Sequence, residues 1–203
     1  MVNISIGIDP GVNGAVVIIV DNKIMEALVV PKDKNGKVDY KALDYQWKRL
    51  IKTYDLLNRE NNVHVAIEDI HAYPGSAAEG TFNFGGITKV LNFILITNQL
   101  SYTPVTPRDW QKQMWQGVPE IRKSLNKQQL KKNQEAEEKE KLTGKKQNRA
   151  RPAIDTKAMS LVAAKRLFPN LNLRDPNAPK SKKEHDGIVD ALLIAEYCRR
   201  NFL

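Results

Sequence analysis

Val2, Ile4, Ile6 and Ile8 alternate with polar or small residues at the start of the chain, a period of two that predicts a β-strand over residues 2–8. Gly11 and Gly14 supply a turn, the unbroken run Ala15 to Val20 predicts a buried strand ended by Asp21-Asn22, and a third strand is expected at 24–30. Connections this short leave no room for a crossover helix, so the three strands are predicted to form an antiparallel meander. From Tyr40 to Glu60 the period changes. Leu43, Trp47, Leu50, Ile51, Tyr54 and Leu57 recur at helical spacing with Lys48, Arg49, Lys52 and Arg59 between them, which predicts a one-sided helix. Val63 to Ile67 reads as a buried strand, 84–100 as a helix, and Tyr102 to Thr106 as a last strand closed by Pro107. Farther on, Ala158, Leu161, Val162 and Phe168 outline a helix that Pro169 stops, and 184–200 forms the final helix. The predicted order is βββαβαβ followed by helices.

Residues 120–151 break this rhythm. They hold eleven Lys or Arg against five Glu, which makes six of the nine net positive charges of the chain, and almost no large apolar residues. Such a segment has no face to bury, so it is expected to be a mobile insertion or a solvated helical arm. One reading leaves it as a solvated charged loop; the other puts it against a phosphate backbone. The 203 residues otherwise suit one domain, 1–203, carrying this insertion.

Composition narrows the partner. With 41% hydrophobic and 27% charged residues the chain has the balance of a soluble globular protein. A net charge of +9 favours a polyanion, nucleic acid before an anionic membrane surface. Cys198 is the only cysteine, which excludes an intrachain disulfide and a cysteine-based zinc site and fits a reducing compartment. The apolar runs Ala15 to Val20 and Ala27 to Val30 fall far short of the roughly 20 residues that span a bilayer. The N-terminus enters directly into the alternating pattern, so neither a secretion signal nor a membrane anchor is expected, and the location expected is cytoplasmic.

Four carboxylates stand where carboxylates are costly. Asp9 ends the first strand in G-I-D-P-G-V-N-G, and Glu68 ends V-H-V-A-I-E-D, both at the carboxyl edge where open sheets bind ligands. A structural reading of Asp9 is also open: it caps the Pro10-Gly11 bend. If the two strands are neighbours, Asp9 and Glu68 repel unless they share a cation. Asp186 and Asp190 lie one turn apart on the last helix, and Asp190 has apolar neighbours on nearly every side. Helix-dipole complementation accounts for Asp186 better than for Asp190. Two strand ends and one helix would thus deliver oxygen ligands suited to two Mg²⁺ ions, with Mn²⁺ as a substitute, and to two-metal phosphoryl chemistry.

Five stretches in order, G-I-D-P-G-V-N-G-A (7–15), A-I-E-D-I-H-A-Y-P-G (66–75), F-N-F-G (82–85), V-T-P-R-D-W (105–110) and H-D-G-I-V-D-A-L-L-I-A-E-Y (185–197), resemble the RuvC-type Holliday junction resolvases, in the style of their phage and organellar members. The resemblance implies an α/β RNase H-like fold: a five-stranded mixed sheet, its first three strands antiparallel, flanked by helices. It implies a Mg²⁺-dependent endonuclease of DNA recombination and repair, acting as a homodimer on four-way junctions and leaving 5′-phosphate and 3′-hydroxyl ends. A phage-encoded member would work in its host's cytoplasm.

Carried over residue by residue, the metal ligands are Asp9, Glu68, Asp186 and Asp190. Bacterial members commonly space the last pair by three; here the spacing is four and Gly187 takes the three-apart position, so either Asp186 or His185 completes the site or transfers a proton. In the resolvases the loop after the Glu68 position probes the crossover, a part that His71 or Tyr73 would play by stacking on a splayed base, worth roughly 1–3 kcal/mol. Phe82 and Phe84 are read as core anchors of the following helix. Phosphate contacts are expected from Lys131, Lys132, Lys145, Lys146, Arg149 and Arg151 in the insertion, and from Lys182 and Lys183 ahead of the last helix.

Two alternatives stay open at this stage. A nuclease of the same fold could act on flaps, forks or RNA, and a non-catalytic DNA-binding scaffold would need only the basic segment. Two-domain actin-like ATPases and kinases share the opening strand and turn, but this chain has no room for a second such domain and no glycine-rich phosphate loop.

Overall fold

β1 (Asn3–Asp9) is buried on both faces from Ile4 to Ile8, although its sequence alternates as if one face were wet. The reason is its place in the sheet. Five strands lie in the order β3-β2-β1-β4-β5, with β2 at Ala15–Val20, β3 at Lys23–Val29, β4 at Asn62–Glu68 and β5 at Tyr102–Val105. β1 pairs antiparallel with β2, and β2 with β3, so the meander forms as the short connections require; β1–β4 and β4–β5 are parallel. The sheet is therefore five-stranded and mixed. The computed structural model describes residues 1–69 and 78–203, with the side chains of the first turns of α2 described from Gly85 onward.

One face of β1 presents Ile4, Ile6 and Ile8 to a core shared with Leu43, Trp47 and Leu50 of α1 (Tyr40–Thr53) and Ile87, Leu91 and Leu95 of α2 (Ala78–Thr97). The opposite face carries α6 (Asp186–Phe202). There Gly7 is indispensable: a Cβ at this position would run into the backbone of Ala191 and Ala195, so a side chain would lift the helix off the sheet. The small residues on both surfaces allow backbone to meet backbone.

α1 opens at the N-cap Asp39, whose carboxylate accepts the Ala42 N–H at 2.9 Å. It ends at Thr53 rather than at residue 60. Asp55 adopts a left-handed conformation, with φ at 48°, and the chain leaves the helical register there. Leu56 then turns into the core, while Leu57, expected on the buried face, is 54% exposed. α2 starts at Ala78, six residues before the expected start at 84. Among the described residues no helix is long and apolar enough to cross a membrane.

The chain divides into two compact units, Met1–Gln116 with Ser160–Leu203, and Gly117–Met159. The second contains the basic segment, and that segment is folded. A short antiparallel bridge joins Arg122 to Ile154, with Lys123 N–H donating to Ala153 O and Asp155 N–H to Ile121 O, each at 2.8 Å. Between them runs α4 (Lys127–Thr143), closed in front by a reciprocal capping box of Asn126 and Gln129 and behind by Gly144 in a left-handed conformation. α4 is polar around its circumference and buries only Ala136. Of the two forms expected from sequence, the helical arm is the one found.

Candidate active site

Register brings the first two acids to one edge. Ile8 and Ile67 are partners in the parallel β1–β4 ladder, so Asp9 and Glu68, the next residue on each strand, leave the sheet side by side at its carboxyl edge. Asp9 also performs the turn role open to it: its Oδ1 accepts the Gly11 N–H at 3.0 Å, and Gly14 N–H donates to Gly11 O at 2.8 Å. This fixes the direction in which the carboxylate leaves the strand.

The third acid arrives through helix docking. A Cβ on Gly187 would collide with the carbonyl oxygen of Asn13 and with Gly14, so the first turn of α6 is seated on the turn that follows Asp9. Together with the Gly7 contact, this seating carries Asp190 to the rim. Its charge is felt by Glu68.

Glu68 is only 7% exposed. Burial pushes its carboxyl up, the Asp9 charge raises it further, the Trp110 hydrogen bond opposes the rise and the Asp190 charge adds to it, which together bring it to about 8. Asp9, Glu68 and Asp190 therefore form one electrostatic group. The Trp110 indole N–H donates to Glu68 Oε1 at 2.9 Å, and Trp110 is fully buried. It sits on α3 (Pro107–Met114), whose N-cap Thr106 accepts the Asp109 N–H and whose first position is Pro107. Sequence reading assigned Trp110 no role, although Trp110 and Met114, four apart after a capped proline, are the spacing of a buried helix face.

Asp186 occupies the first turn of α6, and His185 caps the helix by accepting the Ile188 N–H on Nδ1 at 3.3 Å. Both line a cavity of about 290 Å³ together with Asn13, Ser181, Lys183 and Glu184. Lys182 and Lys183 are exposed. His71 and Tyr73 lie outside the described residues, as do the side chains of Phe82 and Phe84.

The donor set suits a hard divalent cation. Carboxylate oxygens crowd a buried edge, and the donor that meets Glu68 there is neutral, so added positive charge would relieve both the burial and the repulsion. Among the described residues no three His, Cys, Asp or Glu side chains already form a cage around one point. The acids are a mutually repelling group that an ion would have to draw in.

No family model matches the chain, and no curated protein matches it. Among solved structures it is similar to T. thermophilus RuvC in complex with Holliday junction substrate, with a TM-score of 0.52 at 13% identity, over 100% of this chain and 97% of that one. A second Thermus thermophilus RuvC structure aligns with a TM-score of 0.49 at 13% identity, over 100% and 98%. At such identity the likeness is one of fold. The sheet that brings Asp9 beside Glu68, and the helix that adds Asp190, together make the RNase H-like fold in the form that RuvC takes.

Proposed function

We propose that the protein is a divalent-metal-dependent endonuclease that cuts branched DNA, four-way junctions above all. The observation that carries this reading is that Glu68, buried at the carboxyl edge of the sheet, stands within the fields of both Asp9 and Asp190. An acid so placed destabilises the fold unless it is used, and strong perturbation at a sheet edge marks functional groups.

Asp9, Glu68 and Asp190 would hold Mg²⁺, with Asp186 as a fourth ligand and Mn²⁺ as a substitute. Bound there, two such ions supply the charge that activates water for in-line attack on a phosphodiester and steadies the leaving 3′ oxygen. The protein's own part is orientation and protonation. Gly11 directs Asp9 and Trp110 directs Glu68, so each carboxylate would be presented to a bound cation from a set direction. Burial and the neighbouring acids favour a proton on the Glu68 carboxyl, and a bound cation would favour its release and leave a carboxylate able to hold the ion. His185 accepts the Ile188 N–H on Nδ1, so Nε2 is the ring nitrogen left to exchange a proton with a phosphate oxygen.

A two-fold homodimer with one site per subunit would deliver paired nicks with 5′-phosphate and 3′-hydroxyl ends. The test is a panel of four-way junction, flap and plain duplex DNA, each with Mg²⁺ and with EDTA. Mg²⁺-dependent nicking of the junction ahead of the flap and duplex is expected. Nicking that survives EDTA, or a preference for the flap, contradicts the proposal.

A further inference from the structure

The second unit carries its charge unevenly. α4 holds five Lys and four Glu, and charges pair along its own length, Lys131 with Glu135 at 3.9 Å and Lys141 with Glu137 at 3.2 Å. The segment that follows, 145–151, holds Lys145, Lys146, Arg149 and Arg151 and no acid. The cationic surplus of the unit is therefore concentrated in seven residues.

Two devices give those residues a shape. Gly144, with φ at 66°, reverses the chain at the end of α4 while its N–H still donates to Glu140 O at 2.9 Å. Asn133 then brackets Ala150, donating to its carbonyl at 3.1 Å and accepting its N–H at 2.7 Å, as a neighbouring strand would. Residues 144–150 are thus pinned back as a loop lying on the helix. Between helix and loop opens a cleft of about 800 Å³ lined by Glu140, Lys146, Gln147, Asn148, Arg149 and Arg151. Glu140 is engaged by Arg149 at 3.1 Å, which leaves the cleft cationic and rich in amide donors.

The geometry points to a phosphate-backbone cleft in the second unit, one that grips a duplex arm of DNA by Lys146, Arg149 and Arg151. Its donors are guanidinium, ammonium and amide groups, which match phosphate oxygens and read no sequence. At this volume it admits a run of backbone rather than one small anion, and it has no apolar wall to take a hydrophobic ligand. The inference rests on the branched-DNA reading for the identity of the polyanion; the chemistry of the cleft is phosphate recognition in either case.

The experiment uses the full-length protein and a 20-base-pair duplex and a four-way junction in EDTA, with affinity measured against salt. Two double substitutions remove equal charge: Lys146→Gln with Arg151→Gln in the cleft, and Lys131→Gln with Lys141→Gln on α4. Each lost phosphate contact flattens the slope of log affinity against log salt by about 0.9, so the cleft pair should flatten it by roughly 1.8 and weaken binding at least tenfold near ~0.1 M salt. The helix pair should flatten it by less than about 0.5. Asn133→Ala changes no charge and should still weaken binding severalfold by releasing the loop. Equal effects of the two pairs would show a diffuse field instead of a cleft and overturn the inference, as would a slope that the cleft pair leaves unchanged. Binding in EDTA is read apart from cutting, so a protein that shows these slopes but never nicks DNA sinks the nuclease reading alone.

Discussion

The two compact units handle charge in opposite ways. In the first, carboxylates sit at a buried sheet edge, and Glu68 answers by holding its proton up to about 8. In the second, a much larger number of charged groups stands in water, partly paired along α4, and their pairs add little to stability. Burial converts a few charges into a reactive group, whereas exposure leaves many charges as a field that salt can screen. The catalysis proposed for the first unit and the adhesion proposed for the second rest on that difference, and each can be tested separately.

The largest expected effect comes from removing a buried acid. Asp9→Asn or Glu68→Gln should lower junction cleavage by about a hundred- to a thousandfold, since electrostatic groups in such sites each contribute roughly 3–4 kcal/mol. Binding should hold or tighten, because less negative charge meets the phosphate. Nicking assays beside gel-shift titrations read both; joint loss of binding and cutting would assign these residues to folding.

Comparable in free energy, but read on stability instead of rate, is the dependence on pH. Glu68 binds its proton more tightly folded than unfolded, so the stability it contributes is fully present below about 4.5 and is lost as pH rises through about 8. The loss approaches about 5 kcal/mol for a shift of this size. Melting curves in EDTA should therefore fall between pH 5 and 8, Mg²⁺ should reverse the fall at the upper end, and Glu68→Gln should abolish it. A flat profile for the unaltered protein contradicts the assignment.

Trp110→Phe keeps the ring and removes the N–H that holds Glu68 Oε1. Groups that orient metal ligands are typically worth 10–100-fold, so Mn²⁺ affinity measured by calorimetry should fall by about that much. An unchanged affinity would make the indole a packing residue only. The smallest effect is expected across the division of the chain: replacing 120–151 by a short linker should move the melting point by no more than a few degrees while it flattens the salt dependence of DNA binding. A large fall in melting point would make that segment part of the first unit's fold.

The sheet was legible because period-two alternation and short connections constrain strands directly, and Asp9 and Glu68 were legible because an acid that ends an apolar strand is anomalous wherever the strand lies. Gly7 was not legible: its requirement comes from α6, nearly two hundred residues away in the chain. The end of α1 was missed for a local reason, since Leu57 keeps the helical spacing while the left-handed Asp55 breaks the helix before it. Trp110 lay within a quoted stretch, yet its partner is forty-two residues back, and only the fold brings the indole to Glu68. Composition marked 120–151 as basic, but the bracket between Asn133 and Ala150 depends on how α4 and its return segment pack.

The branched-DNA reading is tested by labelling each strand of a four-way junction in turn, incubating it with the protein and Mg²⁺, mapping the nicks, and then adding DNA ligase. Two nicks are expected at symmetry-related positions on opposing strands near the branch, absent in EDTA and with Asp9→Asn, with products that ligase closes because they carry 5′-phosphate and 3′-hydroxyl ends. Unpaired nicks scattered along one arm, or ends that ligase cannot seal, would contradict it.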